Sequence, residues 1–464
     1  MLESPRPVST GTARISRRSR SKALAAAGAI GLATVLAACS SSGGSAGTTA
    51  AGSGASAAAT YTGSAVVNLN FWSWTLNSQA VVDEFNKTHS NIHVTFTKIT
   101  GGPAGYSKIF NAFKAGNAPD VFNCEYDMLP EFVSEGLVQD ISQYVNPQLQ
   151  SELGAALPLT TLGGKTWAIP YDVEPTELWY RADLFKKYNL AVPTTWAQFQ
   201  TEAQQLAKAD PSAKLAAVPT DDPLWLASLA EQAGAQWFSS TSGSWKVNLT
   251  DANSEKVASY WQGLVDAKDV YAAPSGSPAY TAAYTNGQIL SMIEPSYEGA
   301  YLKSSYPKEA GDWAVASLPS WGSTAMESTE GGSSYPVNKS TKNTAAALEF
   351  AEWLSTNSDA ISTRMQGGKS SALPADATAG QTAESSFDKS YYYQGQDIFS
   401  VANSAASTVS KNWAWGPQVP GMDSAMATPM GQIGSGGKVS AVLSTGQSQV
   451  LQLLQAAGLS ASAG

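Results

Sequence analysis

The sequence predicts an α/β fold with a mostly parallel sheet, helices on both faces and about two domains. Three observations carry this. Short runs of β-branched and aromatic residues alternate with segments whose apolar residues recur at helical spacing. Such strand–helix alternation is the signature of layered α/β units. The chain has 464 residues, more than one ordinary hydrophobic core organises.

The elements follow in order. Arg14, Arg17, Arg18, Arg20 and Lys22 precede an apolar run from Ala23 to Leu36, too short to span a bilayer comfortably. Basic, apolar and then small residues is the layout of a cleavable secretion signal, here residues 1–38. Arg17-Arg18 lacks the hydrophobic pair that a twin-arginine signal would carry. Leu36-Ala37-Ala38-Cys39 resembles a bacterial lipobox. That resemblance implies that Cys39 becomes the mature N-terminus and carries lipid, a palmitate-type anchor on the cell membrane. The alternative is a plain signal peptide with an incidental cysteine. Residues 39–64 are nearly all Ser, Gly, Ala and Thr, so a flexible tether is expected, with a reach of roughly 25–30 Å.

Val66 to Trp72 reads as the first strand, and Val81, Val82 and Phe85 as one face of a helix capped by Asn77 or Ser78. A strand over Ile92–Lys98 comes next. Tyr106, Ile109, Phe110 and Phe113 form a helical stripe stopped by Gly116 and Pro119, and Val121-Phe122-Asn123 is a short buried strand. Sheets of this kind bind ligands beyond the carboxyl ends of their strands, here Trp72–Trp74 and Asn123–Asp127. A second block begins after Tyr171. Leu178–Tyr180 and Trp245–Leu249 read as strands, Asp183–Tyr188 and Ser254–Lys268 as helices. Thr195 and Gln198 stand at capping-box spacing ahead of a further helix, and Ala345, Leu348, Phe350, Ala351 and Leu354 mark another. No internal repeat is visible.

Charge and composition narrow the function. The first 38 residues hold six basic residues and one acid, so an overall charge of −9 leaves −14 on the remainder. That excludes nucleic acid and anionic lipid surfaces as natural partners, since both need clustered Lys and Arg. Cys39 and Cys124 are the two cysteines; with Cys39 committed to lipid, no disulfide is expected. The two histidines, His89 and His93, are four apart, but Ile92, Val94 and Phe96 place His93 on a strand, apart from His89. Neither a metal site nor a Ser-His-Asp triad is expected, and no cofactor is implied.

Seven stretches, in order over residues 66–356, resemble the extracellular solute-binding proteins of ABC transporters, in particular the sugar-capturing, maltose-binding-protein-like branch. They are Phe71-Trp72-Ser73-Trp74; Phe85 to Val94; Ala115-Gly116-Asn117-Ala118-Pro119-Asp120-Val121; Trp167-Ala168-Ile169-Pro170-Tyr171; Tyr180 to Phe185; Pro193-Thr194-Thr195-Trp196; and Gly331 to Val337 with the helix after it. The resemblance implies a two-lobed periplasmic-binding-protein type II fold with the ligand cleft between lobes and hinge crossovers. Lobe 1 would comprise residues 65–171 plus 332–368, and lobe 2 residues 172–317 plus 376–464. The chain would cross first near Tyr171–Glu174, then over 318–331 and 369–375. Gly331-Gly332 and Gly367-Gly368 suit hinges, or are ordinary loops. It further implies a lipid-anchored receptor that needs no catalytic step: a monomer that captures a mono- or oligosaccharide by lobe closure outside the cytoplasm and delivers it to permease subunits.

A sugar presents hydroxyls at its edge and C–H groups on its faces, so carboxylates, amides and flat aromatic rings recognise it. The aromatic candidates are Trp72, Trp74, Trp225, Trp413 and Trp415, which fall in loops or at strand ends. The polar candidates are Glu125 and Tyr126 after the short strand, Asp172 and Glu174 at the first crossing, Glu294, Tyr297 and the nearby Glu298, and Gly332. Tyr297 stands where many relatives carry tryptophan, which leaves the ligand open. Two alternatives remain. A glycan-cleaving enzyme would need a pair of acids, for which Asp172, Glu174 and Glu177 are available. A non-sugar solute such as a phosphate would want cleft arginines, and past Cys39 the chain has only Arg181 and Arg364.

Overall fold

The computed structural model describes residues 60–241, 243–322 and 326–464. The predicted signal, Cys39 and most of the predicted tether lie outside the described residues. The tether's predicted end is not loose: the Tyr61 backbone N–H donates to Glu349 at 2.6 Å, and its carbonyl accepts from Asn91.

The first lobe is built on a parallel sheet in the order Ile92–Lys98, Val67–Ser73, Val121–Phe122. Leu69 and Phe71 turn inward from the central strand while Asn68 and Asn70 face out, the period-two pattern of a half-buried strand. Phe71 meets Phe350 at 5.2 Å, and Phe85 of helix Ser78–Thr88 meets the same ring at 4.9 Å. The late helix Thr344–Thr356 therefore completes a core begun almost three hundred residues earlier. A small antiparallel sheet sets Ser333–Pro336 between Cys124–Glu125 and Ala168–Pro170. Asn77 is not a side-chain cap: its backbone is left-handed at φ 62°, and its amide donates to Thr363 instead.

The second lobe carries five strands in the order Tyr271–Ala273, Lys214–Pro219, Ile289–Pro295, Thr176–Arg181, Trp313–Ser317. The first three are parallel, and Thr176–Arg181 runs against both its neighbours. The expected mostly parallel sheet is thus mixed here. Thr176–Arg181 is fed straight from the first crossing, so the crossing sets its direction instead of a strand–helix–strand turn. Successive residues serve opposite cores: Leu178, Leu290 and Ile293 pack on one face, Trp179, Ile289 and Met292 on the other. Both faces being covered, the strands read as continuous apolar runs.

Helix Trp196–Ala209 is capped by Thr195, whose hydroxyl accepts from the Gln198 N–H, while the Gln198 side chain reaches back to Thr194, one residue beyond the expected partner. Helices Val419–Met430 and Val439–Ala456 seal the lobe through Met422, Met426, Leu443 and Val450. A final strand, Ser460–Ala463, runs parallel beside Ser244–Val247. No described helix is long and apolar enough to cross a membrane.

Three segments join the lobes side by side. Tyr171 and Val173 donate to Ser333 and Leu373, Ala375 donates back to Tyr171, and Glu330 donates to Glu174. Asp172 bridges Pro374, and Pro175 bridges Thr329. The first crossing is the central thread of this ladder. Backbone hydrogen bonds hold its register.

Candidate functional site at the interlobe cleft

A cavity of about 440 Å3 opens where the strands of both lobes end and the three crossings meet. Lobe 1 contributes Trp74, just past Val67–Ser73, and Glu125, the last residue of its short strand. Lobe 2 contributes Asp222 after Lys214–Pro219, and Glu294, Tyr297, Glu298 and Tyr301 at the end of Ile289–Pro295. The crossings supply Tyr171, Asp172, Gly331 and Gly332. Each sheet delivers its residues from the carboxyl ends of its strands, where layered α/β proteins hold ligands.

The walls are preset by second partners. Tyr106 meets Trp74 edge-on at 5.5 Å and donates its hydroxyl to Glu125 at 2.9 Å, while that same hydroxyl accepts from the Glu125 N–H. One buried tyrosine therefore fixes both the indole and the carboxylate. Asp172 accepts from the Ser333 N–H at 2.6 Å. Asp222 accepts from the N–H groups of Leu224 and Trp225, capping helix Pro223–Gln232 at the cavity's edge. Gly332 is left-handed at φ 81°, and a Cβ there would lie 2.8 Å from the Tyr126 ring, so the close approach requires glycine.

Among the described residues, five acids and no Lys or Arg line this cavity. Burial raises every one of them. Asp172 is pushed up to about 6 by burial, against the pull of the Ser333 N–H and the Arg364 charge. Glu298 is pushed up to about 8 by burial alone, and Glu294 rises through burial and the neighbouring Glu330 and Glu298. Glu125 rises through burial, opposed by the Tyr106 hydroxyl. Such a lining offers acceptors when ionised and donors when protonated, which matches a neutral ligand bearing many hydroxyls. Arg364 lies behind the wall, 2% exposed, with its guanidinium 4.3 Å over the Tyr171 ring.

Trp74, Glu125, Asp172, Glu294, Tyr297 and Gly332, all expected from sequence, come together here. Others do not. Tyr126 stands behind the wall and donates its hydroxyl to the Asp172 carbonyl at 2.6 Å. Glu174 is 1% exposed, accepting from the Ser296 hydroxyl and the Tyr297 N–H, so it orients Tyr297 from within. Trp225 is a core residue, 1% exposed, donating to the Ile293 carbonyl and packed on Trp261 at 4.8 Å. Its helix turns the Asp222 cap to the cavity and the indole inward. Trp72 packs at the edge of the lobe 1 core with Lys108 over its ring at 4.9 Å, and does not line the cavity. Trp413, 9% exposed, is held against Trp237 at 5.4 Å, so it anchors its loop. Trp415 stands beyond it and walls a narrow extension that shares Glu125 and Gly331 with the main cavity. Asp222 and Tyr301 were not expected. Asp222 had a signal: an acid before proline, directly after an apolar strand and ahead of an apolar helix, is an N-cap at a strand's carboxyl end.

One contact ties Glu131 to Gln418 across the two lobes. Gln418, left-handed at φ 71°, donates its backbone N–H to Glu131 Oε2 at 2.8 Å and its side-chain amide to Glu131 Oε1 at 3.0 Å. Glu131 belongs to lobe 1 and Gln418 to lobe 2.

The family model described as "Bacterial extracellular solute-binding protein" matches residues 73–361, well over half of the chain. The lactose-binding protein of Rhizobium radiobacter is 29% identical over 199 residues, covering 41% of this chain and 46% of that protein. The chain spans about a third to just over half of the length of the curated relatives it matches. Solved structures align over much more. The galacto-N-biose/lacto-N-biose I-binding protein of a Bifidobacterium longum ABC transporter, solved with lacto-N-biose, is 27% identical, with a TM-score of 0.78 over 86% of this chain and 100% of its own. The ABC transporter associated binding protein of B. animalis subsp. lactis Bl-04, in complex with β-1,6-galactobiose, shares the fold at 22% identity, with a TM-score of 0.73 over 85% of this chain and 99% of its own. Two lobes, three crossings, a cavity at their junction and a family match across both lobes agree: this chain belongs to the bacterial extracellular solute-binding proteins.

Proposed function

We propose that the chain captures a sugar in the interlobe cavity, closes its lobes on it and delivers it to the permease of an ABC importer, held at the outer face of the membrane by lipid on Cys39. The observation that carries this is the cavity lining: five acids, no cation among the described residues, and four aromatic residues, Trp74 from lobe 1, Tyr171 from the first crossing, and Tyr297 and Tyr301 from lobe 2. Rings cover sugar faces, and the carboxyl groups take hydroxyls. Because Trp74 and Glu125 sit on one lobe and Glu294 and Tyr297 on the other, a ligand touching all four favours the closed arrangement by its differential contacts. The sugars bound by the Rhizobium and Bifidobacterium relatives support the same class of solute.

A phosphate finds no cation in this lining; Arg181 is engaged by Asp183 at 2.8 Å. The glycan-cleaving alternative drew on Asp172, Glu174 and Glu177, of which the latter two are buried away from the cavity. The test is intrinsic fluorescence of the protein titrated with mono- and oligosaccharides, followed by recovery of the sugar. A saturable shift with the sugar recovered intact is expected. Silence across the panel, or consumption of the sugar, would reject the proposal.

A further inference from the structure

The interlobe space continues past the main cavity. Beyond Glu125 and Gly331 it narrows to a neck of about 80 Å3, walled by Asp127, Glu330 and Trp415. Trp415 also borders the next space, a groove of about 410 Å3, close in size to the cavity itself. Trp167 comes to this groove from lobe 1, Trp245 and Ser240 from lobe 2.

Three indoles border one groove and pack only partly on the neighbouring cores. Each is only half-buried, yet each is fixed. Trp167 donates its ring N–H to the Leu162 carbonyl at 3.0 Å. Trp415 abuts Trp413 edge-on at 5.1 Å, and Trp245 stands edge-on to Phe238. Fixed, half-exposed rings beside exposed hydroxyls are what C–H faces and hydroxyl edges of sugars require; Lys165, paired with Asp140 at 2.8 Å, stands over the Trp167 ring. Both the cavity and the groove reach the size of ordinary ligand sites, and the neck does not.

We infer that the groove between Trp167, Trp245 and Trp415 is a second ring-binding compartment, so that the solute is an oligosaccharide longer than a disaccharide, threaded past Trp415. This rests on the sugar-capture reading. The test is calorimetric titration of the protein with β-linked galacto-oligosaccharides and with malto-oligosaccharides of two to five rings. In the series that binds, affinity rises by about tenfold once the chain exceeds the cavity. Trp245→Ala removes that gain and leaves disaccharide affinity within about twofold, while Trp245→Phe, which keeps a ring, retains most of the gain. Disaccharide binding with no gain on lengthening, or a gain indifferent to Trp245→Ala, overturns the second compartment and leaves sugar capture standing. Binding of neither series at any length overturns sugar capture and the compartment with it.

Discussion

Removing the Glu131 side chain should loosen the cleft without touching the cavity. Glu131→Ala deletes the acceptor of three hydrogen bonds from Gln418, at 2.8, 3.0 and 3.3 Å, which tie lobe 1 to lobe 2. Hydrogen bonds to a charged group contribute about 1.5–3 kcal/mol. Glu131 is only half-buried, and its burial raises the carboxyl against these bonds, so the lower end applies, about 1.5 kcal/mol. Where the clasp forms only with the lobes together, that energy is lost from closure, and affinity falls by up to about tenfold. Calorimetry gives the affinity, and small-angle scattering gives the compactness of the free and loaded forms. The variant should bind about tenfold more weakly, with an unchanged melting profile within each lobe and a more open free form. Unchanged affinity and unchanged compactness would refute the reasoning, because the clasp would then contribute equally to both states.

Trp74→Ala and Trp413→Ala should separate binding from folding: the first lowers sugar affinity by about tenfold with stability nearly kept, the second costs about 3–5 kcal/mol in denaturant unfolding because its indole packs on Trp237. Equal effects on stability would contradict that assignment. Gly332→Ala forces a Cβ against Tyr126 at a left-handed backbone and should cost about 1–3 kcal/mol, measured by chemical denaturation; a neutral result would mean that the wall yields. Stability should also fall as pH rises from about 5 to 8. Burial raises Asp172 to about 6 and Glu298 to about 8, above their unfolded values near 4. Over that window the folded chain holds protons that the unfolded chain has released, so the slope of stability against pH is negative. A melting midpoint that is flat or rises from pH 5 to pH 8 would contradict it.

The alternation of strands and helices in residues 66–123 was legible because each element carries its own period: Leu69 and Phe71 against Asn68 and Asn70, or Tyr106, Ile109 and Phe113 around one helix. Cavity residues at strand ends were legible for the same reason, since Glu125 and Glu294 stand at the ends of strands whose limits are local. What failed was long-range. Nothing near Trp225 or Trp413 says that one will meet Trp261 and the other Trp237. Trp72 and Trp74 stand two residues apart at one strand's end, and only the fold places Tyr106 beside Trp74 and Lys108 over Trp72. The strand Ser460–Ala463 is made of small residues without β propensity, and its pairing with Ser244–Val247 defines it. The mixed sheet of lobe 2 was hidden because strand direction depends on where the crossing enters.

Hydrogen–deuterium exchange, with and without a saturating saccharide, tests the clamp most directly. Binding between the lobes should slow exchange at Glu125 and Tyr126, along residues 171–176 and 328–333, and at Ser296 and Tyr297, in both lobes at once. Protection confined to one lobe, or found only away from the crossings, would contradict capture by closure.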